Sequence, residues 1–331
     1  MCSVSYSGAG GHVDVDYDTV PLPSASLPIG IMDSPYYDCT AQSLYWVDLF
    51  GGSIFRYSEE INQIFYAQIP GYPGISFILP ARNEPNTFVI GVENALYKIM
   101  WDGMNTTASV IGKITSAEDG TNHHTNAAVA GPKGAIYWGN FGPKLCGEDQ
   151  NKGSFRWSRK GGKEQMPGMH KTSNSLTYDY KRGIFYHMDG CTQEITATDI
   201  CRRTGKYSPF RMVFNQFCLP QYAAPVGISV GSDGSLWVGS YLNGTLFNID
   251  PDKGKIINTY TMPTRLMGAS TFGGCNYDKL YVLTSQLEVD VTNGNVISDG
   301  KTNPPPDPAG SLMIIHGLGK GRPLRKPCIG C

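Results

Sequence analysis

"PVGISVGSDGSLWVGS", residues 225–240, holds two short apolar runs separated by a Ser-Asp-Gly turn. A run of about six apolar residues bounded by turn residues reads as a buried strand, and β-branched and aromatic side chains suit a pleated sheet. The second run is not unique. "SLYWVD" begins at 43, "TFVIGV" at 87, "AIYWGN" at 135, "GIFYHM" at 183, "SLWVGS" at 235 and "KLYVLT" at 279. The second residue of each falls at 44, 88, 136, 184, 236 and 280, so the steps are 44, 48, 48, 52 and 44.

Most copies lead through a polar turn into a further strand: "GGSIFRYS", "NALYKIMWDG", "KGSFRWSRKGG", "GTLFNIDPDKGK" and "GSLMIIHGLGKG". Strand, turn and strand at a period near 48 is the pattern of propeller blades of about four strands each. Helical periodicity is absent over any useful length. The chain therefore reads as all-β, a six-bladed β-propeller in one domain over 1–331, with blades over about 30–320 and a tail over 321–331. "HVDVDYDTV" (12–20) alternates at period two and is a candidate strand to close the ring, which would remove exposed sheet edges. A sandwich or solenoid is the competing architecture, but six evenly spaced copies exceed the usual sandwich count.

Composition agrees with a folded, turn-rich protein. Of 331 residues, 40 are Gly and 22 Pro, while 40% are hydrophobic and 17% charged, which excludes a disordered chain. The net charge of −1, with "GKGRPLRK" as the one basic cluster, gives no reason to expect a nucleic acid partner. No apolar run approaches the roughly 18–20 residues of a membrane span. "MCSVSYSGAGGHVDVDYD" lacks the cationic end and apolar core of a secretory signal, so the protein is either intracellular or secreted after trimming.

The repeat also predicts a site. In a propeller the innermost strands line a central channel whose mouth takes ligands. Ten residues before each anchor stand Ser34, Ile78, Asn126, Asn174, Val226 and Ser270, which are expected to form one ring. Asn126, Asn174 and the neighbouring Asp33 would be costly to bury unpaired. Their oxygens suit a hard divalent cation, either Ca²⁺ or Mg²⁺. With one carboxylate among them such an ion would be held weakly, and asparagines bonded to loop backbone are an equal alternative.

The succession "DSPYYD…SLYWVD", "TNAAVAGPKGAIYWG", "TSNSLTYDYKRGIFYHMD", "PVGISVGSDGSLWVG", "FGGCNYDKLYVLTS" and "GSLMIIHGLGKGRP" resembles the senescence marker protein, regucalcin and gluconolactonase family, which includes insect luciferin-regenerating enzymes. The resemblance spans nearly the whole chain. It implies a six-bladed propeller with one divalent metal in the channel and, in many members, hydrolysis of sugar lactones. The family's metal-binding glutamate falls on Asp33, its "SNG" asparagine on Asn174, and its substrate-side "NDG" asparagine on Asn126, where Ala127 and Ala128 replace "DG". A substrate-holding basic residue is matched by His124. The aspartate of "PDG", implied to be metal ligand and general base, falls on Val226. An isopropyl group can be neither, and losing one of two carboxylates removes half the charge that polarises a bound water.

Three other motifs carry less. Gly227 to Gly231 reads G-x-S-x-G, but Ser229 lies in an expected channel strand with no helix behind it, so it is not the serine of a nucleophile elbow. His123 and His124 are adjacent and point to opposite faces of an extended chain, leaving His124 the one that could face the channel. Nine cysteines leave at least one unpaired within the chain; Cys191 and Cys201 flank an expected hairpin and are a candidate pair, as are Cys328 and Cys331 in the tail.

Two functions follow. One is a small-molecule-binding protein, of an insect as the luciferin-regenerating likeness implies, whose channel has become apolar at Val226 and Ile78 and suits a flat or hydrophobic ligand such as a pigment. The other is a divergent lactonase that works with a weakly held Ca²⁺, Zn²⁺ or Mg²⁺ on Asp33, Asn126 and Asn174. A protein partner on one face is a third, weaker expectation.

Overall fold

Each of the six repeated runs is the second strand of a blade sheet, of four strands in five blades and five in the other. In the computed structural model, which describes residues 13–23, 30–116, 124–142, 146, 153–166, 172–220, 223–290, 296–298 and 309–330, the runs Ser43–Asp48, Thr87–Val92, Ile184–Asp189 and Leu236–Tyr241 are buried at every position. A strand covered on both faces shows continuous apolar residues rather than alternation, which is why these runs stand out in the sequence. The neighbouring blades supply both covers.

The blades run from the axis outwards in chain order. The first comprises Met32–Asp38, Ser43–Asp48, Ser53–Ser58 and Gln63–Gln68, and the second Phe77–Pro80, Thr87–Val92, Ala95–Met100 and Ser109–Ser116. The third and fourth begin with His124–Ala130 and Ser173–Asp179, the fifth with Ala224–Val230 and the sixth with Met267–Gly273. Consecutive inner strands touch around the whole circle, the sixth meeting the first, so the fold is a closed six-bladed propeller. The outer strand of the sixth blade is Asp16–Pro21, paired antiparallel with Ser311–His316; the short strand Val13–Asp14 then runs on to pair parallel with Lys255–Thr261 of the fifth. The segment 13–21 thus ties the fifth and sixth blades together.

The core is six wedges between blades, and aromatic rings fill them: Trp46 stacks on Phe55, Trp138 on Phe155, and Tyr37 on Tyr281 across the seam between first and sixth blades. Among the described residues the only helical segment is the three-residue 3-10 turn Pro132–Gly134, and no helix is long and apolar enough to cross a membrane.

Candidate functional site

Five of the six inner strands carry a register shift at one level: between Asp33 and Tyr36, Thr125 and Ala128, Ser173 and Ser175, Val226 and Ile228, and Met267 and Ser270. A bulge places an extra residue on one strand, bends it and re-aims the side chain. Here it turns Asn126, Asn174 and the Asp33–Ser34 pair out of the sheets. Gly227 sits in the bulge of the fifth blade at φ +60°, where a Cβ would lie 2.7 Å from Ser270 N, so only glycine is accommodated. The inner strand of the second blade has no bulge: Ile78 pairs regularly with Ile90 and is fully buried in the core between the first and second blades, away from the channel.

The re-aimed polar groups form a belt from blade to blade. Ser34 Oγ donates to Ser76 O at 3.1 Å, and Ser76 Oγ and Thr125 Oγ1 share a hydrogen bond of 2.7 Å. Asn126 Nδ2 donates to Ser173 O at 2.7 Å, Asn174 Nδ2 to Pro225 O, and Ser229 Oγ to Ser270 O at 2.7 Å. Met32 N closes the circle on Ser285 Oγ at 3.3 Å. Ser229 is therefore a buried strut, its proton committed to a carbonyl. Because each asparagine must present its NH₂ to a carbonyl, its Oδ1 is fixed on the other side of the amide plane. Asn126 is 4% exposed, and its Oδ1 has no hydrogen-bond partner.

Above the belt opens a cavity of about 280 Å³. Asp33, Asn126, Asn174 and Val226 all line it, with Ile31, Phe50, Phe141, Tyr241 and Val289 as its apolar wall. Below the belt the channel narrows to about 50 Å³, room for a water or two, lined by Ser34, Ser229, Ser270 and the tail residues Arg322 and Leu324. The tail stoppers this end. Gly321 bridges Gly231, Arg322 N donates to Val230 O at 2.9 Å, the Arg322 guanidinium pairs with the fully buried Asp179, and Cys328 N donates to Gly134 O at 2.9 Å.

The ring expected from the repeat is thus divided. Asp33, Asn126, Asn174 and Val226 meet in the wide cavity; Ser34 and Ser270 face the narrow part; Ile78 faces neither. His124 is exposed and stacks on Phe141, with ring centroids 5.4 Å apart, without lining the cavity itself. The aromatic wall was not anticipated, yet it has a signature: Phe50, Phe141 and Tyr241 each follow the anchor of their second strand by five or six residues, in "DLF", "GNF" and "GSY". Gly190 holds the corresponding place in the fourth blade, where a Cβ would lie 3.0 Å from Asn174 Cγ.

The cysteines pair differently from the sequence expectation. Cys191 is bonded to Cys146, and this disulfide lies in the cavity wall, whereas Cys201 is an exposed thiol. The turn that begins at Cys201 folds on itself, Gly205 N donating to Cys201 O at 2.7 Å, and the thiol is engaged within it by Thr204. Cys328 is disulfide-bonded, while Cys331 lies outside the described residues.

Burial pushes the Asp33 carboxyl from 3.8 up to about 7, partly offset by the N–H of Ser34. No Lys, Arg or His lines the cavity among the described residues. For a divalent cation the donor set falls short. One carboxylate and two amide oxygens supply a single negative charge, Val226 adds only an isopropyl group to the same wall, and among the described residues no three His, Cys, Asp or Glu side chains converge. Hard cations are held by charge count and six or more oxygens, so these residues do not fit a firmly bound metal.

The SMP-30/Gluconolactonase/LRE-like region matches residues 31–286. Regucalcin of Xenopus laevis is 24% identical over 292 residues, covering 87% of this chain and 91% of its own. Among solved structures, a luciferin-regenerating enzyme superposes with a TM-score of 0.77 at 21% identity over 95% of this chain and 100% of its own. A calcium-binding protein, regucalcin, from Agrobacterium tumefaciens does so with a TM-score of 0.73 at 14% identity, covering 95% and 98%. With its six blades, its bulged inner strands and a match over most of its length, the chain belongs to the SMP-30/gluconolactonase/LRE-like family.

Proposed function

We propose that this member of the family binds a small, largely apolar molecule in the cavity at the channel mouth rather than hydrolysing lactones with a divalent metal. One observation carries the reading: Val226 lines the same cavity as Asp33, Asn126 and Asn174, at the position where the family resemblance implies an aspartate. That substitution removes a cation ligand and a general base together and adds apolar surface. Phe50, Phe141, Tyr241 and Val289 extend that surface, and a mostly apolar pocket with a few placed polar groups is the usual form of a small-molecule site. At about 280 Å³ the space admits one or two fused rings.

Metal-assisted hydrolysis is the second reading, favoured by the unpartnered Oδ1 of Asn126, which lines the same cavity as Asp33. Calorimetric titration with indole, run beside a glucono-lactone assay with Ca²⁺ and Zn²⁺, separates the two. Indole should bind with a negative heat-capacity change, as apolar burial requires, and neither ion should raise lactone turnover above buffer. Ion-dependent turnover without indole binding would establish the hydrolase instead.

A further inference from the structure

We infer that the occupant of the cavity carries a single organic ammonium group on its apolar body, and that this group seats against Asp33. The inference rests on the binding reading above and names the chemistry of the ligand.

It follows from a census of the polar groups on the wall. Both asparagine NH₂ groups are committed to backbone carbonyls, Asn126 to Ser173 and Asn174 to Pro225. The Tyr241 hydroxyl donates to Leu287 O at 2.7 Å and accepts Val289 N–H at 2.8 Å, so only its ring faces a ligand. The Thr172 hydroxyl lies 3.3 Å from Cys191 Sγ. What the wall still offers is acceptors: the Asp33 carboxylate, the Asn174 amide oxygen, and Asn126 Oδ1, buried with no partner. Asp33 joins no ion pair among the described residues. A lone carboxylate among apolar side chains calls for a cation. A divalent ion asks for more charge than one carboxylate supplies, and it would leave the aromatic wall unused. An alkylammonium matches both halves. It brings one positive charge for Asp33, up to three N–H donors for the acceptors of the wall, and a hydrocarbon body for Phe50, Phe141 and Val226. Charge-assisted hydrogen bonds are about twice as strong as neutral ones, which sets the expected discrimination against an uncharged analogue.

The test compares two molecules of one shape, 2-phenylethylamine and 2-phenylethanol, titrated into the intact protein at pH 8. The amine should bind the wild type at least about tenfold more tightly than the alcohol. Asp33→Asn should bring the two within about twofold of each other. Equal affinities in the wild type, or a preference for the amine that survives Asp33→Asn, would overturn the inference. The wild-type comparison decides by itself should the variant not fold. If indole and the alcohol bind but the amine gains nothing, the ammonium is wrong and the apolar site stands; if neither neutral molecule binds, the binding reading itself has failed.

Discussion

Asp33→Asn should make the protein more stable at alkaline pH and leave it unchanged near pH 4. The sign follows from linkage. Burial raises the native carboxyl from 3.8 to about 7, so between those values the folded protein holds a proton that the unfolded chain has released. Stability therefore falls as pH rises through this window, and the full penalty is present above it. The gap between 3.8 and about 7, at about 1.4 kcal/mol per pH unit, sets an upper bound of about 4 kcal/mol. Asp33 borders an open cavity, and water there relieves part of the penalty; about 1–3 kcal/mol is the expected gain at pH 8.5. Asparagine stays neutral throughout and keeps an acceptor for the Ser34 N–H. Urea unfolding of both proteins at pH 4 and pH 8.5 reads the difference directly, since other titrating groups cancel. A variant no more stable than wild type at pH 8.5, or equally destabilised at both, would show a native carboxylate that is ionised and well paired, against the reasoning here.

Arg322→Ala should destabilise by about 3–5 kcal/mol in urea, because the fully buried Asp179 would keep only the Lys181 and Arg182 N–H groups, at 2.9 and 3.1 Å. A loss under about 1 kcal/mol would mean that the tail does not brace the channel. Gly190→Ala should weaken indole binding about fivefold and cost about 1 kcal/mol of stability, since a Cβ 3.0 Å from Asn174 Cγ shifts the amide and strains its bond to the Pro225 carbonyl. Unchanged affinity would remove Asn174 from the site.

The blade count was legible because second strands are sandwiched, and a sandwiched strand writes an uninterrupted apolar run. Counting back from the anchors lands on the wide cavity in three bulged strands, on the narrow part of the channel at Ser34 and Ser270, and on the core at Ile78, whose strand has no bulge. Asn126, Asn174 and Val226 reach one cavity, whereas Ile78 keeps the regular ladder of Phe77–Pro80 and stays in the core. Bulges depend on how two strands pair, which single-strand spacing does not show. The aromatic wall escaped notice for a different reason. Phe50 sits just beyond its strand and Phe141 and Tyr241 end theirs, so they look like ordinary strand-end residues until the propeller gathers those ends at one mouth. The Cys146–Cys191 bond joins loops of adjacent blades 45 residues apart, a proximity made by the ring alone. Ser229 shows the converse, a motif whose hydroxyl proved to be a strut.

The decisive measurement is a calorimetric titration of Ca²⁺ into the wild type and into Val226→Asp. The account holds that residue 226 alone separates this cavity from a metal site, so the wild type should bind Ca²⁺ no tighter than about millimolar, and the variant, with two facing carboxylates, at least about tenfold more tightly. Micromolar affinity in the wild type, or no gain from the added carboxylate, would contradict it.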